Sequence, residues 1–339
     1  MENKSARILF FDSLEIGYTS GSLRRILLPP IRGNGLEGEL IAVIGKNGIG
    51  KSTLLRTIAG LQPVLAGKMA IDNRNIDEYT RTQLSAKIGY ISTETVKVSN
   101  MRVYDLVSLG RFPHTNWFGK IDDSDHEVIV DALEKTGLSG FRDRHITELS
   151  DGERQRAMIA MVLAQDAKIM VMDEPTAFLD ISSKYEIMHL LHMLTRNKHK
   201  TIVFSTHDFN TAVNQSDKIW LISEKGLLEG APEDIMLKGA FKSLFDESKV
   251  RYNQYDGSFT VNNIEKGRIK ITGEGEMRYW TEKAVVRAGY SVTLSESDVQ
   301  IEVPSKLNPN WKYRKLEDYH EFDTIYDLMS WIRNNELTF

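Results

Sequence analysis

The segment GKNGIGKST, from Gly45 to Thr53, constrains the fold of this chain more than any other stretch. It follows the apolar run ELIAVIG and precedes the run STLLRTIAG, whose residues favour a helix. The pattern G-x-x-x-x-G-K-[ST] between a strand and a helix predicts a loop whose backbone N–H groups surround phosphate groups. The loop residues expected to contact a nucleotide are Gly45, Asn47, Gly48, Gly50, Lys51, Ser52 and Thr53.

Two side chains of this loop carry specific chemistry. Lys51 is expected to reach the terminal phosphates, and the Ser52 hydroxyl is expected to ligate Mg²⁺. The alternative is a glycine-rich turn, but a turn does not require a lysine followed by two hydroxyl residues. The loop therefore predicts a site for a nucleoside triphosphate with Mg²⁺.

Candidate catalytic residues follow two further apolar runs. Asp173 and Glu174 end KIMVMDE, and His207 ends VFSTH. We expect Asp173 to hold Mg²⁺ through water, Glu174 to polarise the attacking water as general base, and His207 to contact the terminal phosphate or orient that water. The alternatives are two solvated acids in a turn and a structural histidine.

The spacing of apolar runs predicts two domains. Strand-like and helical stretches alternate from Arg7 to about Ala231, which indicates an α/β domain with a mostly parallel sheet. Between Met101 and about Leu149 the sequence becomes helical, as an inserted helical subdomain would be. We therefore place an α/β domain at residues 1–240, with a helical subdomain over about 95–165.

The remaining residues, 241–339, predict a small α+β domain. RIKITG, SVTLS and VQIEVP alternate with a period of two, as half-buried strands do. GEMRYWTEKAVVRAGY and DTIYDLMSWIRNN predict helices, the second capped by Asp323. On the first helix we expect one buried face and a stop at Gly289. The expected face consists of Met277, Trp280, Ala284 and Ala288.

The amino-acid composition argues against several classes of protein. The net charge of −4 offers no basic excess for neutralising nucleic-acid phosphates, so we expect no nucleic-acid partner. The chain has no cysteine, which excludes disulfides and thiolate metal sites. The N-terminus lacks the apolar region of a signal peptide, and no segment approaches the roughly 18 apolar residues of a membrane span. A cytoplasmic protein is expected, with membrane contact only through a partner.

The segment LSDGERQR raises a choice between a helix cap and half of an active site. Ser150 and Glu153 have the S-x-x-E spacing of a capping box at a helix start. A helix start also binds anions, because its N–H groups point outward. Both functions are open to the same atoms.

Together these motifs resemble the ATP-binding subunits of ABC transporters, over residues Ile8 to Ala231. LSDGERQR is similar to the ABC signature, MVMDEP to the Walker B strand, and TAFLD, with Asp180, to the D-loop. His207 is similar to the switch histidine, and Tyr18 to the aromatic residue that stacks on adenine. The resemblance implies a P-loop NTPase fold of the ABC type, ATP hydrolysis, and ATP and Mg²⁺ as cofactors.

In that family two ATPase subunits pair head to tail, so the resemblance implies a homodimer with ATP at its interface. The signature residues Ser150, Gly152 and Glu153 would then contact the ATP held by the partner's P-loop. Two departures stand out. Asp151 replaces a glycine of the signature, and Thr93, or its neighbour Glu94, stands where the Q-loop glutamine is expected. Thr93 could ligate Mg²⁺ through its hydroxyl.

The segment from Met101 to Lys120, with LGRFPH, resembles importer subunits that serve iron-siderophore, haem or vitamin B12 permeases. This resemblance implies integral-membrane permease partners and, through them, a substrate-binding protein, with the chain peripheral on the cytoplasmic face of the cytoplasmic membrane. Four side chains are candidate interface anchors or, alternatively, core residues of the helical subdomain. They are Arg111, Phe112, Trp117 and Phe118.

Two other functions compete with import. One is a soluble ABC ATPase acting in translation or DNA maintenance, although such relatives typically carry two cassettes or long coiled-coil arms. The other is a nucleotide-gated regulatory subunit with weak hydrolysis, which the presence of Glu174 and His207 disfavours. For the C-terminal domain we hypothesise regulation or dimerisation of the ATPase.

Overall fold

The computed structural model describes residues 7–20, 23–93, 100–115, 120–241, 250–252, 259–261, 266–305 and 308–335. The chain divides into two compact units, and the boundary between them lies between residues 247 and 259.

The first unit contains twelve strands and eight α-helices among its described residues. The strands are β1 Arg7–Glu15, β2 Gly17–Ser20, β3 Leu23–Ile26, β4 Ile31–Leu36, β5 Leu40–Gly45, β6 Ala66–Ile71, β7 Arg74–Asn75, β8 Ile88–Ile91, β9 Ile169–Met172, β10 Thr201–Ser205, β11 Lys218–Ser223 and β12 Gly226–Gly230. The α-helices are α1 Lys51–Ile58, α2 Arg81–Ser85, α3 Val103–Ser108, α4 Asp123–Lys135, α5 Asp151–Ala164, α6 Ile181–Lys198, α7 Phe209–Gln215 and α8 Pro232–Leu237. Short 3₁₀ helices lie at Ile76–Glu78, Leu109–His114, Ser139–Phe141 and Ile146–Glu148.

A six-stranded sheet, in the order β12-β11-β5-β10-β9-β8, forms the centre of this unit. Its strands are parallel except β12, which runs antiparallel to β11. Every residue of β5, β9 and β10 is buried, as expected for a parallel sheet covered on both faces. The predicted α/β fold is confirmed. Since β5, β10 and β9 are neighbours, the segments that follow them meet at one edge of the sheet.

The two faces of the sheet pack against different layers. Leu40, Ala42 and Ile44 of β5 face a core that includes α5 and α6, whereas Ile41 and Val43 face a core built with β1 and α1. This alternation follows from the period of two along a strand. β1 belongs to a second, four-stranded sheet in the order β4-β1-β6-β7, and β2 pairs with β3 as a separate hairpin.

The helical insertion between β8 and β9 contains a buried ion pair. Arg111 Nε donates to Asp125 Oδ1 over 2.7 Å, and its Nη1 donates to the carbonyl oxygen of Ala164 over 2.8 Å. The Arg111 side chain is only 11% exposed, which favours the second of its two alternatives, a core residue of the helical subdomain, over an exposed interface anchor. Phe112, in contrast, is 59% exposed. Trp117 and Phe118 lie outside the described residues.

The second unit is a five-stranded sheet with two helices. Its elements are β15 Arg268–Thr272, α9 Gly275–Arg287, β16 Ser291–Thr293, β17 Val299–Glu302, β18 Trp311–Lys315, β19 Asp318–Phe322 and α10 Ile325–Asn334. The sheet order is β16-β15-β17-β18-β19, parallel across the first three strands and antiparallel thereafter. Two further short strands, β13 Val250–Tyr252 and β14 Phe259–Val261, pair with each other. The strands and helices predicted for this part of the sequence are present.

Two details of these helices differ from the sequence-based expectation. α9 buries Thr281 and Ala284, while Met277 and Trp280 remain about half exposed. Thr281 faces the core because its hydroxyl accepts a hydrogen bond of 2.8 Å from the indole N–H of Trp311.

The cap of α10 is Thr324 instead of Asp323. The Thr324 hydroxyl accepts from the N–H of Asp327 over 3.1 Å, whereas the Asp323 carboxylate accepts from Asn310 over 3.0 Å. Gly289 does follow the end of α9 in a left-handed conformation, with φ 94°.

Candidate nucleotide-binding site

The loop between β5 and α1 has the backbone of a phosphate cradle. Gly48 and Gly50 have φ of 75° and 116°, a left-handed region that favours glycine. Lys51, the first residue of α1, donates from Nζ to the carbonyl oxygens of Gly45 over 2.8 Å and Lys46 over 3.3 Å. Burial lowers the pKa of Lys51, while the charges of Glu174 and Asp173 act against that shift.

A cavity of about 410 Å³ opens over this loop. Such a volume lies within the range of small-molecule sites. Its lining consists of Tyr18, Arg25, Leu27, Asn47, Gly48, Gly50, Lys51, Ser52, Thr53, Glu174 and His207. The structure thus brings most of the predicted loop residues together with two of the predicted catalytic residues, Glu174 and His207. Gly45 contributes through its carbonyl oxygen, which Lys51 binds.

The hairpin of β2 and β3 forms one wall of the cavity. The Tyr18 hydroxyl lies 2.8 Å from the Thr53 hydroxyl, although half of the Tyr18 side chain is exposed. Arg25 lies directly opposite Tyr18 in the hairpin. Sequence reasoning missed Arg25 and Leu27, which line the same cavity as Tyr18 because the chain folds back on itself in this hairpin.

Asp173 is held by a hydroxyl group that sequence reasoning also missed. Ser205, buried at the end of β10, donates from Oγ to Asp173 Oδ1 over 2.6 Å. The same hydroxyl accepts from the backbone N–H of Glu174 over 2.9 Å. Ser205 therefore fixes both acidic residues after β9. The serine two positions before His207 in VFSTH was the available signal.

Glu174 and His207 form a pair at the edge of the sheet. Glu174 Oε1 contacts His207 Nε2, which joins the carboxylate after β9 to the imidazole after β10. Glu174 has φ 51°, a strained conformation for a residue with a long side chain. About a quarter of the Glu174 side chain and nearly half of the His207 side chain remain exposed to a ligand or water.

Thr93 lies near Asp173 but in a neighbouring cavity. Its hydroxyl donates to the backbone carbonyl oxygen of Asp173 over 3.2 Å. It lines a smaller cavity of about 190 Å³ that shares Glu174 with the larger one. Glu94 lies outside the described residues. The role of Thr93 as a metal ligand stays a prediction.

The signature segment begins α5 with a complete capping box. The Ser150 hydroxyl accepts from the N–H of Glu153 over 3.2 Å, and the Glu153 carboxylate accepts from the N–H of Ser150 over 2.8 Å. This second bond lowers the pKa of Glu153. The Asp151 carboxylate accepts from Arg154 Nη1 over 2.6 Å, so Asp151 has a cationic partner within its own helix.

Asp180 is the N-cap of α6, where it accepts from the N–H of Ser183 over 2.8 Å. Hydrogen bonds from Ser183 lower the pKa of Asp180.

The lining of the 410 Å³ cavity includes none of four residues predicted to contact ATP. These residues are Ser150, Gly152, Glu153 and Asp180. One copy of the chain does not bring them to its own phosphate loop.

Oxygen donors suitable for Mg²⁺ are present beside the loop. Ser52 lines the cavity, and the buried Asp173 directly precedes Glu174, which also lines it. Mg²⁺ typically takes one or two carboxylates together with phosphate oxygens and water, so this donor set fits the ion. Among the described residues, no three His, Asp or Glu side chains are grouped as a metal cluster.

Comparison with known proteins identifies the family. The family model for ABC transporters matches residues 31–177. An ABC transporter ATP-binding protein from Methanocaldococcus jannaschii is 34% identical over 251 residues, which cover 72% of this chain and 87% of that protein. This chain is an ABC transporter ATP-binding protein.

Two further similarities extend the comparison. The ferric enterobactin transport ATP-binding protein of Escherichia coli is 37% identical to this ABC protein over 201 residues, 59% of this chain and 74% of that one. The dimeric structure of a bacterial ABC transporter cassette superposes with a TM-score of 0.58 at 26% identity, over 66% of this chain and 99% of the cassette. The predicted ABC-type P-loop fold and ATPase activity are confirmed.

A second family model describes the C-terminal part of the protein. The iron ABC transporter C-terminal domain matches residues 266–333, which form the five-stranded sheet and its two helices. In the part of the chain that the structure describes, no helix is long and apolar enough to cross a bilayer.

Proposed function

We propose that this ABC ATPase powers the import of an iron-siderophore, haem or cobalamin-like metal chelate across the cytoplasmic membrane. The observation that carries the proposal is the match of residues 266–333 to the iron ABC transporter C-terminal domain. The ferric enterobactin transport protein of Escherichia coli, similar over the ATPase part, supports the same class of cargo.

Within the cavity we assign roles from the contacts of each side chain. The backbone N–H groups of the loop and Lys51 bind the phosphates, and the Tyr18 ring stacks on adenine. Glu174 polarises the attacking water, and its contact with His207 supports a role for the imidazole in orienting that water or the terminal phosphate. The residues proposed to bind ATP on this side are Tyr18, Gly45, Asn47, Gly48, Gly50, Lys51, Ser52 and Thr53.

We assign Mg²⁺ to the oxygen donors beside the phosphates. The Ser52 hydroxyl would ligate the ion directly, Asp173 would hold it through water, and Thr93 is a further candidate. When bound, the ion neutralises charge on the phosphate oxygens. The hydrogen bond from Ser205 keeps the Asp173 carboxylate in one orientation for this role.

The second half of each ATP site is proposed to come from a second copy of the chain. Ser150, Gly152, Glu153 and Asp180 of that copy would close over the nucleotide. Their exclusion from the cavity of their own chain supports this arrangement, as does the dimeric cassette of the relative. The capping box and the phosphate site would then use the same helix start in two states of assembly.

The transport role implies partners at the membrane. We infer that integral-membrane permease subunits bind the ATPase on the cytoplasmic face, where it is peripheral, and that a substrate-binding protein delivers the chelate. Exposed Phe112 is a candidate contact. We also propose the domain limits 1–240 for the ATPase, with a helical subdomain over about 95–165, and 241–339 for an accessory domain that regulates or dimerises it.

An uptake assay tests the transport proposal. Cells that produce this ATPase only as the wild type or only as the Glu174→Gln variant are supplied with labelled ferric hydroxamate, ferric catecholate, haem or cobalamin. Because the variant lacks the proposed base, we expect the uptake of one chelate to stop, with purified-protein ATP hydrolysis reduced more than 100-fold. Glu134→Gln, on the exposed face of α4, is the matched control. Unchanged uptake of every chelate, with ATP hydrolysis lost, would favour a soluble ATPase without a transport role.

A further inference from the structure

Arg25 is placed to act on the bound nucleotide. It pairs directly with Tyr18 across the β2–β3 hairpin, and both side chains line the cavity above the phosphate loop. Residues directly opposite each other in an antiparallel pair have Cβ atoms about 5 Å apart on the same face. Arg25 therefore shares its face of the hairpin with the residue assigned to adenine.

The hydrogen bond between Tyr18 and Thr53 shows where the Tyr18–Arg25 pair lies in the cavity. Thr53 lies in the first turn of α1, and its hydroxyl is 2.8 Å from that of Tyr18. The Tyr18–Arg25 pair thus lies near the helix start, where phosphate groups bind, at the end of the cavity assigned to adenine. Glu174 and His207 line the same cavity and are assigned to the terminal phosphate. In the proposed ATP site the α-phosphate, which is attached to the adenosine, is therefore the phosphate nearest the Tyr18–Arg25 pair.

The charge of Arg25 is available to a ligand. Its side chain is exposed and has no hydrogen bond or ion pair with another residue of the described part of the chain. Lys51, in contrast, already donates to two carbonyl oxygens of the loop. A guanidinium group can form two parallel hydrogen bonds to a phosphate. We propose that Arg25 binds the α-phosphate of the nucleotide, an inference that rests on the proposed ATP site.

The neighbouring Arg24 provides a matched control. It carries the same charge on the same strand, but its guanidinium donates to the carbonyl oxygen of Leu65. Successive residues of a strand point to opposite faces, and Arg24 is not among the residues that line the cavity. Arg24→Gln and Arg25→Gln each remove one positive charge, but only Arg25→Gln removes a charge from the cavity.

Equilibrium binding to the full-length protein tests the inference. ADP, AMP and adenosine are titrated against wild type, Arg25→Gln, Arg25→Lys and Arg24→Gln by calorimetry or ligand-detected NMR. For Arg25→Gln we expect the affinities for ADP and AMP to fall about tenfold each, as for a lost charge-assisted hydrogen bond, with adenosine unchanged. Arg25→Lys should lie between this variant and wild type, and Arg24→Gln should match wild type.

The outcomes separate this inference from the proposed function. If adenosine loses as much affinity as ADP, Arg25 contacts the base and the phosphate assignment is wrong. If Arg25→Gln binds ADP as tightly as wild type does, Arg25 is not a ligand. A wild-type protein that binds no ADP would instead overturn the ATP site, and the Arg25 assignment with it. Melting curves of the two glutamine variants show whether either substitution acts through a loss of folding. Arg25→Lys, which keeps the positive charge, repeats the binding measurement with a smaller change of side chain.

Discussion

The Ser205 hydroxyl connects two acidic residues that have different proposed roles. It donates to the Asp173 carboxylate and accepts from the backbone N–H of Glu174. A buried carboxylate that loses such a donor becomes more costly to keep charged. The position of both acids therefore depends on a residue that contacts neither ATP nor the attacking water in our assignment.

We predict that Ser205→Ala slows ATP hydrolysis about tenfold while ADP affinity changes little. The loss of one hydrogen bond to a charged group, on the order of 2 kcal/mol, displaces the acids without altering the phosphate loop. Steady-state phosphate release and ADP titration provide the two readings. Ser223→Ala, at the end of β11, is the control because Ser223 lies on the same sheet edge away from the acids. An unchanged rate would show that Ser205 does not position them.

Tyr313, in the second unit, leads to a prediction about pH. Its side chain is fully buried and its hydroxyl has no hydrogen-bond partner within the described residues. Burial raises the pKa of Tyr313 to about 12. An unfolded tyrosine ionises near pH 10, so between these values the unfolded chain binds fewer protons. Stability is therefore retained below about pH 10 and declines as the pH rises above it.

Tyr313→Phe should remove this alkaline loss. The phenylalanine also eliminates an unpartnered buried hydroxyl, so we expect about 1 kcal/mol of added stability at neutral pH. Urea unfolding at several pH values from neutral to alkaline measures both effects. Tyr326→Phe is the control, since the Tyr326 side chain is largely exposed. Parallel pH profiles for wild type and Tyr313→Phe would contradict the assignment.

At the level of secondary-structure elements, the start of α5 combines a cap with a proposed phosphate site. The Ser150–Glu153 capping box closes in a single copy of the chain. A substitution can separate the two functions, because aspartate caps helices as well as serine does but adds a negative charge.

We predict that Ser150→Ala costs about 1 kcal/mol of stability, and that Ser150→Asp costs almost none. In contrast, Ser150→Asp should abolish ATP-dependent pairing of subunits, because its carboxylate would face a phosphate of the partner's ATP. Thermal unfolding and solution mass, measured on both variants, distinguish the effects. If Ser150→Asp still pairs with ATP, the helix start of α5 is only a cap.

Elements were easier to predict from sequence than their contacts. The motif order located the phosphate loop, the acids after β9 and the histidine after β10, because a parallel sheet brings strand ends to one edge. On α9, Ala284 was correctly placed on the buried face, whereas Met277 and Trp280 were not, because apolar spacing cannot show that Thr281 binds the indole of Trp311. Likewise, nothing local to Arg111 indicates its buried partner Asp125, fourteen positions away.

For the whole molecule, the separation of α5 from the phosphate loop predicts ATP-dependent assembly. Glu174→Gln should bind ATP without turnover, so we expect its solution mass to double from 38.6 kDa when Mg-ATP is added. Light scattering measures the mass, and Ser150→Arg in the same background should stay monomeric. A dimer that forms without nucleotide would place the main contacts elsewhere, for example in the accessory domain.

The same separation has a kinetic consequence. In the proposed dimer each ATP site contains residues of both chains, so both bound nucleotides stabilise the same closed dimer. A dimer with only one ATP bound gains only part of that binding free energy. Turnover would then depend on ATP concentration in a sigmoidal manner, with a Hill coefficient between one and two. Nutrient uptake coupled to such an ATPase would decline steeply when the cell's ATP falls, so the cell would spend little on import during starvation.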